Sequence, residues 1–373
     1  MKLHLLSENL QKKISFANRG VSARSQLPIL LNFLLKASNG KLQIVSTDLE
    51  IGILIEVPAN VEEEGETTIP AKLFSDLINT LSKEKITIQT KGNNLEIKTP
   101  KTKNTLQTIS KEEFPKLYEE KGEKILTLNK EILQKELPKI IFAASADLGR
   151  PALSGILIKK EENGKILIVA TDGYRLSLKQ TQPQKQKKEQ KDNNKTFLVP
   201  ARIIRETTVL KDEEGDVEVF MSEEKNQILF EQNGTVIVGR LIDAEFPNYE
   251  KIIPTESITK TFFDKEEMQK AVKICAIFAR DSANIIKFDI KNNKIIVSAN
   301  TQSIGENSVE VEAKTIGDEN EIAFNARYLL EMFSNVEEND IVFEMTGALN
   351  PGVFKIKDDP TFLHLIMPIR VQN

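Results

Sequence analysis

The chain repeats itself three times, and this limits its fold more than any other feature. A strand, an Asn- or Gly-containing turn, a second strand and a polar corner recur in three places. They are LPILLNFLLKASNGKLQIVSTDLEIG from Leu27, RPALSGILIKKEENGKILIVATDGYRLS from Arg150 and SANIIKFDIKNNKIIVSANTQSIGE from Ser282. Thr47, Thr171 and Asn300 hold matching places, 124 and 129 residues apart. A short helix start recurs as IPAKLFSDLINTLS, VPARIIRETTVL and FNARYLLEMFSNV, with Pro70, Pro200 and Asn325 at its opening. Ahead of each pair lies an amphipathic segment: ENLQKKISFANRG, NKEILQKELPKIIFAAS and DKEEMQKAVKICAIFAR. Leu10, Ile14, Ala17 and Val21 share one face by helical spacing, as do Met268, Val272, Cys275 and Ala279. Pro138 predicts a kink or early stop in the middle segment. A unit of about 125 residues is a whole domain rather than a solenoid repeat. The reading is therefore an α+β chain of three like domains at 1–122, 123–252 and 253–373, each with two helices and many short strands.

The residues that catalysis needs are scarce. Two histidines (His4, His364) sit in alternating strand patterns, and the single cysteine, Cys275, falls on an apolar helix stripe, so structural roles are expected of all three. One cysteine excludes an internal disulfide or a cysteine zinc site. There is no phosphate-binding glycine motif, and Gly347 and Gly352 read as isolated turn glycines. No metal or cofactor is expected. Asp48 and Asp172 sit at matching corners where Thr301 stands in the third copy, and capping of a turn is favoured over acid–base chemistry. With no apolar run near the roughly 20 residues of a membrane span and no signal-like N-terminus, a cytoplasmic protein is expected. A net charge of −4 gives no global pull on nucleic acid. The segment Lys179–Lys195, almost free of apolar residues, reads as a disordered or solvated loop, with contacts made by its lysines as the other reading.

One corner differs from the others. Where copy one has STDLEIG and copy three SANTQSIG, copy two has ATDGYRLS, which adds Gly173, Tyr174 and Arg175. An aromatic and a cation on a tight turn suit an interface anchor; a plain surface turn with a cation–π contact is the other reading.

LPIL with TDLE, RPALSG, ATDGYRLS, EFPNY (Glu245–Tyr249) and LIMPIR (Leu365–Arg370), in that order across all three copies, resemble the bacterial sliding clamps, the beta subunits of DNA polymerase III. The resemblance implies three clamp domains per chain, helices facing a central hole, antiparallel sheets outside, and a ring-shaped head-to-tail homodimer around double-stranded DNA. It implies a non-catalytic processivity factor of a DNA-directed DNA polymerase holoenzyme. Simple geometry agrees: six helices at roughly 9 Å spacing leave about 7 Å clear, whereas twelve leave about 24 Å, against about 20 Å for a duplex. The cations on the helix faces, read as DNA-facing without base readout, are Lys12, Arg19, Lys72, Lys135, Lys139, Arg202, Arg205, Lys270, Lys273, Arg280 and Arg327. The resemblance adds Arg24. It further implies a groove for short peptides of the polymerase III catalytic subunit, the clamp loader, other DNA polymerases and repair proteins. The groove positions here are Arg150, Leu153, Thr171, Gly173, Tyr174, Arg175, Leu176, Pro247, Ile366, Met367, Pro368, Ile369 and Arg370. One groove per chain is expected, because the other corners lack Gly-Tyr-Arg. Val371, Gln372 and Asn373 extend past the family's usual end, and Tyr174 stands where the family often has His. Two other classes stay open at this level: an interaction scaffold that encloses no DNA, and an enzyme using Asp172.

Overall fold

The β-branched runs form long sheets in which every recorded ladder is antiparallel. The structure is a computed structural model that describes residues 1–22, 25–118, 120–161, 164–181, 195–212, 215–301 and 305–370. They gather into two compact units, Met1–Lys130 with Arg205–Leu241, and Glu131–Ile204 with Ile242–Asn373. Arg24, most of the Lys-rich loop (182–194) and the tail 371–373 lie outside the described residues.

In the first unit a five-stranded sheet runs Asn60–Glu63, Lys2–Leu6, Lys85–Lys91, Asn94–Lys98, Lys103–Gln107. An eight-stranded sheet runs Glu123–Leu128, Val217–Ser222, Gln227–Gln232, Thr235–Arg240, Ile51–Pro58, Lys41–Thr47, Asn32–Ser38, Gly65–Pro70. Thr235–Arg240 of the middle repeat pairs directly with Ile51–Pro58 of the first, as in Ile237 opposite Ile53. Helix α1 (Ser7–Ala17) buries Leu10, Ile14 and Ala17, and α2 (Ala71–Thr80) buries Phe74 and Ile78. Val21 leaves the expected stripe. After Ala17 the chain tightens into a 3-10 turn, Asn18–Gly20, and Val21 is extended. Gly20 lies so close to Ser46 that an added Cβ would sit 2.4 Å from its Oγ.

The second unit is built on one twelve-stranded sheet. Its order is Lys195–Pro200, Gly155–Lys160, Ile166–Thr171, Arg175–Gln180, Asp359–Ile366, Gly352–Ile356, Asp340–Met345, Thr259–Asp264, Gly305–Gly317, Lys294–Thr301, Ile285–Ile290, Asn320–Asn325. The middle and last repeats meet at one ladder, with Arg175 opposite Ile366, Ser177 opposite His364 and Lys179 opposite Phe362. Strands of the middle repeat are thus divided between the two units, so the units do not coincide with the three repeats.

The helical run of the middle repeat is distorted ahead of Pro138, as that residue predicts. Ile132–Glu136 form a π turn closed by Leu137 N to Ile132 O at 2.9 Å, followed by α3 (Pro138–Ile141) and the short α4 (Pro151–Ser154). Helix α5 spans Ala201–Thr207. In α6 (Lys265–Ala279) Met268, Val272, Cys275 and Ala279 are all fully buried, as their spacing requires. Asp264 caps α6 by accepting from Glu267 N at 3.0 Å, and Asn325 caps α7 (Ala326–Asn335) by accepting from Arg327 N at 2.9 Å. Phe288, Phe324, Phe343 and Phe354 form the aromatic core beneath α6 and α7. Gly352 is no turn glycine: it opens a strand against that core, where a Cβ would come 2.5 Å from Phe324 Cζ.

Candidate partner-binding site

The distinctive corner is a turn locked by its own side chains. Thr171 Oγ1 donates to Arg175 O at 2.6 Å and accepts from Gly173 N at 3.1 Å. Asp172 Oδ1 accepts from Tyr174 N at 2.8 Å and Arg175 N at 3.0 Å. Copy one repeats the pattern. There Thr47 Oγ1 donates to Ile51 O at 2.8 Å, and Asp48 Oδ1 accepts from Glu50 N and Ile51 N at 3.1 and 3.0 Å. Both aspartates therefore cap turns. Gly173 supplies a φ of 91°, at the place where copy one holds Leu49 at 79°. Asp172 Oδ2 is taken by Arg175 Nε at 3.1 Å, so this carboxylate is committed to structure rather than poised as a base.

Arg175 does not present its charge to solvent. It is only 7% exposed, with its guanidinium between the rings of Phe142 and Tyr328, 5.3 and 4.7 Å from their centroids. Nη2 donates to Phe142 O at 2.8 Å, and Nη1 lies 2.5 Å from Glu331 Oε2 on α7, an ion pair rather than an aligned hydrogen bond. The residue bolts the corner to α7. Thr171, Leu176 and Ile366 are also buried and belong to the floor. Val169, Leu176, Leu365 and Tyr249 pack there, with Phe246 and Ile253 against them.

Other expected groove residues lie at the surface. Tyr174 is 55% exposed, its ring stacked on Tyr328 at 6.4 Å and 19°. Met367 is 36% exposed, and its N–H donates to Tyr174 O at 2.8 Å. Ile369 N donates to Ala323 O at 2.8 Å, which fixes the tail between these two points. Pro368 and Ile369 are half-buried, whereas Pro247, Gly173 and Arg370 are exposed. Leu153 is half-buried, and a Cβ on Gly173 would be 3.8 Å from its Cδ1, so α4 lies against the corner. Arg150, with its side chain half exposed, and Arg370 are the cations this surface offers to solvent. The sequence gives no groove role to Phe142, Tyr328 or Glu331, and it offers Tyr249 only as the end of the EFPNY motif; each acts through a contact distant along the chain.

His364 lies fully buried under this surface, Nδ1 2.6 Å from Ser177 Oγ and its ring 5.2 Å from Phe142. Burial, helped by the Arg175 charge, pushes its pKa down to about 3. It is a neutral core histidine. His4 bridges Thr87 and Glu62 at 2.8 Å each on the first unit. Cys275 donates toward Val297 O, and burial pushes its thiol up to about 11. No His/Cys/Asp/Glu group suited to a metal occurs among the described residues. No helix among them is long and apolar enough to cross a membrane.

The basic helix faces are placed unevenly. Lys12, Lys72, Lys135, Arg205, Lys270, Lys273, Arg280 and Arg327 are exposed, as is Arg19, which pairs with Glu206 at 2.9 Å; Arg202 is half-buried. Lys139 corrects the expectation. It is 2% exposed and pairs with Glu338 at 2.6 Å. The ammonium is drawn inward by Glu338, 199 residues further along the chain, a contact that helical spacing cannot announce.

Family models match the chain in three consecutive stretches. They are the DNA polymerase III beta subunit N-terminal domain over residues 1–118, its central domain over 127–248 and its C-terminal domain over 250–370. The beta sliding clamp of Synechococcus elongatus is 28% identical over the whole of both chains. The crystal structure of the DNA polymerase III beta subunit from Thermotoga maritima superposes with a TM-score of 0.91 at 25% identity, covering both chains fully. That of a sliding clamp from Bartonella birtlesii bound to griselimycin gives 0.92 at 26%, again with full coverage of both. The chain belongs to the DNA polymerase III beta-subunit family, the sliding clamps.

Proposed function

We propose that two copies of this chain close head to tail into a ring around duplex DNA. The ring tethers the replicative polymerase and other DNA-processing proteins through short peptides held between the Tyr174 corner and the tail. The protein itself carries out no chemical step, and it works in the cytoplasm on modules bounded near 1–122, 123–252 and 253–373. The observation that carries the groove is the hydrogen bond from Met367 N to Tyr174 O, which joins the distinctive corner to the C-terminal strand. Tyr174, Met367 and Pro247 then offer apolar contact at the surface, with Arg150 and Arg370 at the rim. Met adapts to varied partners without a fixed shape, and the buried floor keeps the turn from collapsing.

The exposed cations on the helices supply phosphate attraction with no geometry for reading bases. Their contacts are weak and screened by salt, which suits sliding. Closure, not affinity, retains the DNA. Lys139 is not among these contacts. Griselimycin, the ligand of the Bartonella clamp, is expected to occupy the same groove here.

Two measurements test the reading. Protein loaded on nicked circular DNA stays bound and is lost when the circle is linearised; equal loss from both forms would refute encirclement. A chain ending at Leu365 keeps its dimer mass but binds griselimycin at least about ten-fold more weakly, a loss of about 1.4 kcal/mol. Undiminished binding would refute the tail's part in the groove, and a monomer near 42.0 kDa would refute the ring.

A further inference from the structure

A cleft of about 540 Å³ opens between α6 and α7. Lys273, Arg280 and Arg327 line it with a single carboxylate, Glu331, beside apolar side chains that include Ile277 and Leu330. The charge balance favours an anion. Glu331 also belongs to the corner described above. Its Oε1 accepts from Arg327 Nε at 2.9 Å, and its Oε2 faces Arg175 Nη1 at 2.5 Å. Burial alone would push the Glu331 carboxyl up, but the Arg327 and Arg175 guanidiniums outweigh it and hold the group below the ordinary carboxylate range. The side chains grade from outside to inside: Arg327 is 76% exposed, Glu331 32% and Arg175 7%. From Arg175 the path continues to Asp172 and to the turn whose Tyr174 carbonyl holds the tail at Met367.

We propose that this cleft binds a phosphate group, and that its occupancy is linked through the shared carboxylate of Glu331 to occupancy of the peptide groove. The proposal rests on the clamp reading, which puts both DNA and peptides on this protein. One carboxylate serves two guanidiniums of different exposure. A phosphate oxygen that draws Arg327 outward leaves Glu331 to Arg175 alone. That stiffens the bolt between α7 and the corner, and a stiffer corner loses less freedom when a ligand docks. The linkage is therefore positive, and by thermodynamic reciprocity a groove ligand raises phosphate affinity by the same factor.

The experiment measures griselimycin affinity calorimetrically on the full-length protein, alone, with saturating short duplex DNA, and with inorganic phosphate. Duplex and griselimycin are each also titrated singly. The expected result is an about five-fold tighter griselimycin complex in the presence of duplex, at the low end of known couplings. In Arg327→Ala the shift is absent. In Glu331→Gln, which keeps the shape but not the charge, the shift is also absent and DNA-free affinity falls. A shift with phosphate alone supports the linkage and assigns the cleft to the free anion; a shift with duplex only assigns it to the DNA backbone. If both ligands bind singly yet independently, or if Arg327→Ala keeps the full shift, the linkage is wrong while the clamp reading stands. If the wild-type protein binds no duplex or no griselimycin, that reading fails and takes the linkage with it.

Discussion

Replacing Arg175 by alanine distinguishes a support from a ligand contact. The side chain is 7% exposed and makes two ion pairs, one carbonyl hydrogen bond and two ring contacts. Removing one member of a buried ion pair costs about 3–5 kcal/mol, mostly through the charge left behind. Here neither carboxylate is left bare: Glu331 keeps Arg327, and Asp172 keeps its two backbone donors. The low end, about 3 kcal/mol, is therefore expected. The loss is local to the second unit, a body of about 200 residues, for which 1 kcal/mol moves a melting midpoint by about 2–4 °C. Scanning calorimetry should show the unit's transition about 6–12 °C lower. Griselimycin affinity should fall with it, because the turn carrying Tyr174 loses its tie to α7. Arg175→Lys should recover little, since an ammonium cannot span two carboxylates and a carbonyl while stacking between rings. A variant with an unchanged transition but a ten-fold weaker complex would refute this reasoning, showing that the guanidinium touches the ligand directly.

Lys139→Met should lower stability by about 1–3 kcal/mol by leaving Glu338 without its partner, whereas Glu136 keeps Lys179 at 3.0 Å, and should leave the salt dependence of DNA retention as it was. A shallower salt slope with unchanged stability would return Lys139 to the DNA-facing set. His364 predicts an acid-labile second unit. Its folded pKa, about 3, lies below its ordinary value of 6.5, so the unfolded chain binds the extra proton first as pH falls. Stability is whole above about pH 6.5 and drops by up to about 1.4 kcal/mol per unit between there and pH 3. His364→Asn, followed by melting from pH 7 to pH 5, should flatten that slope; an unchanged slope would assign the acid sensitivity elsewhere.

The features legible in the sequence were local or periodic. The buried stripe of α6, the Pro138 distortion and the Asp48 and Asp172 caps each depend on neighbours within one or two turns, so spacing alone announces them. Spacing misplaces Lys139 because its partner Glu338 is distant along the chain and draws it inward. The role of Arg175 was out of reach for the same reason. Its partners Phe142, Tyr328 and Glu331 are separated from it along the chain and meet it only in the folded structure. The repeats nevertheless held a clue. The matching hydrogen bonds of the two corners put Arg175 where the first copy has Ile51, which is 1% exposed. A position that is core in one copy stays core in the other, even when its occupant is a cation. A buried cation is stable only if something supplies counter-charge, and here Glu331 comes from the following repeat. The corner carries a buried cation because α7 stands beside it, so the features that set the proposed groove apart belong to a pair of repeats rather than to one.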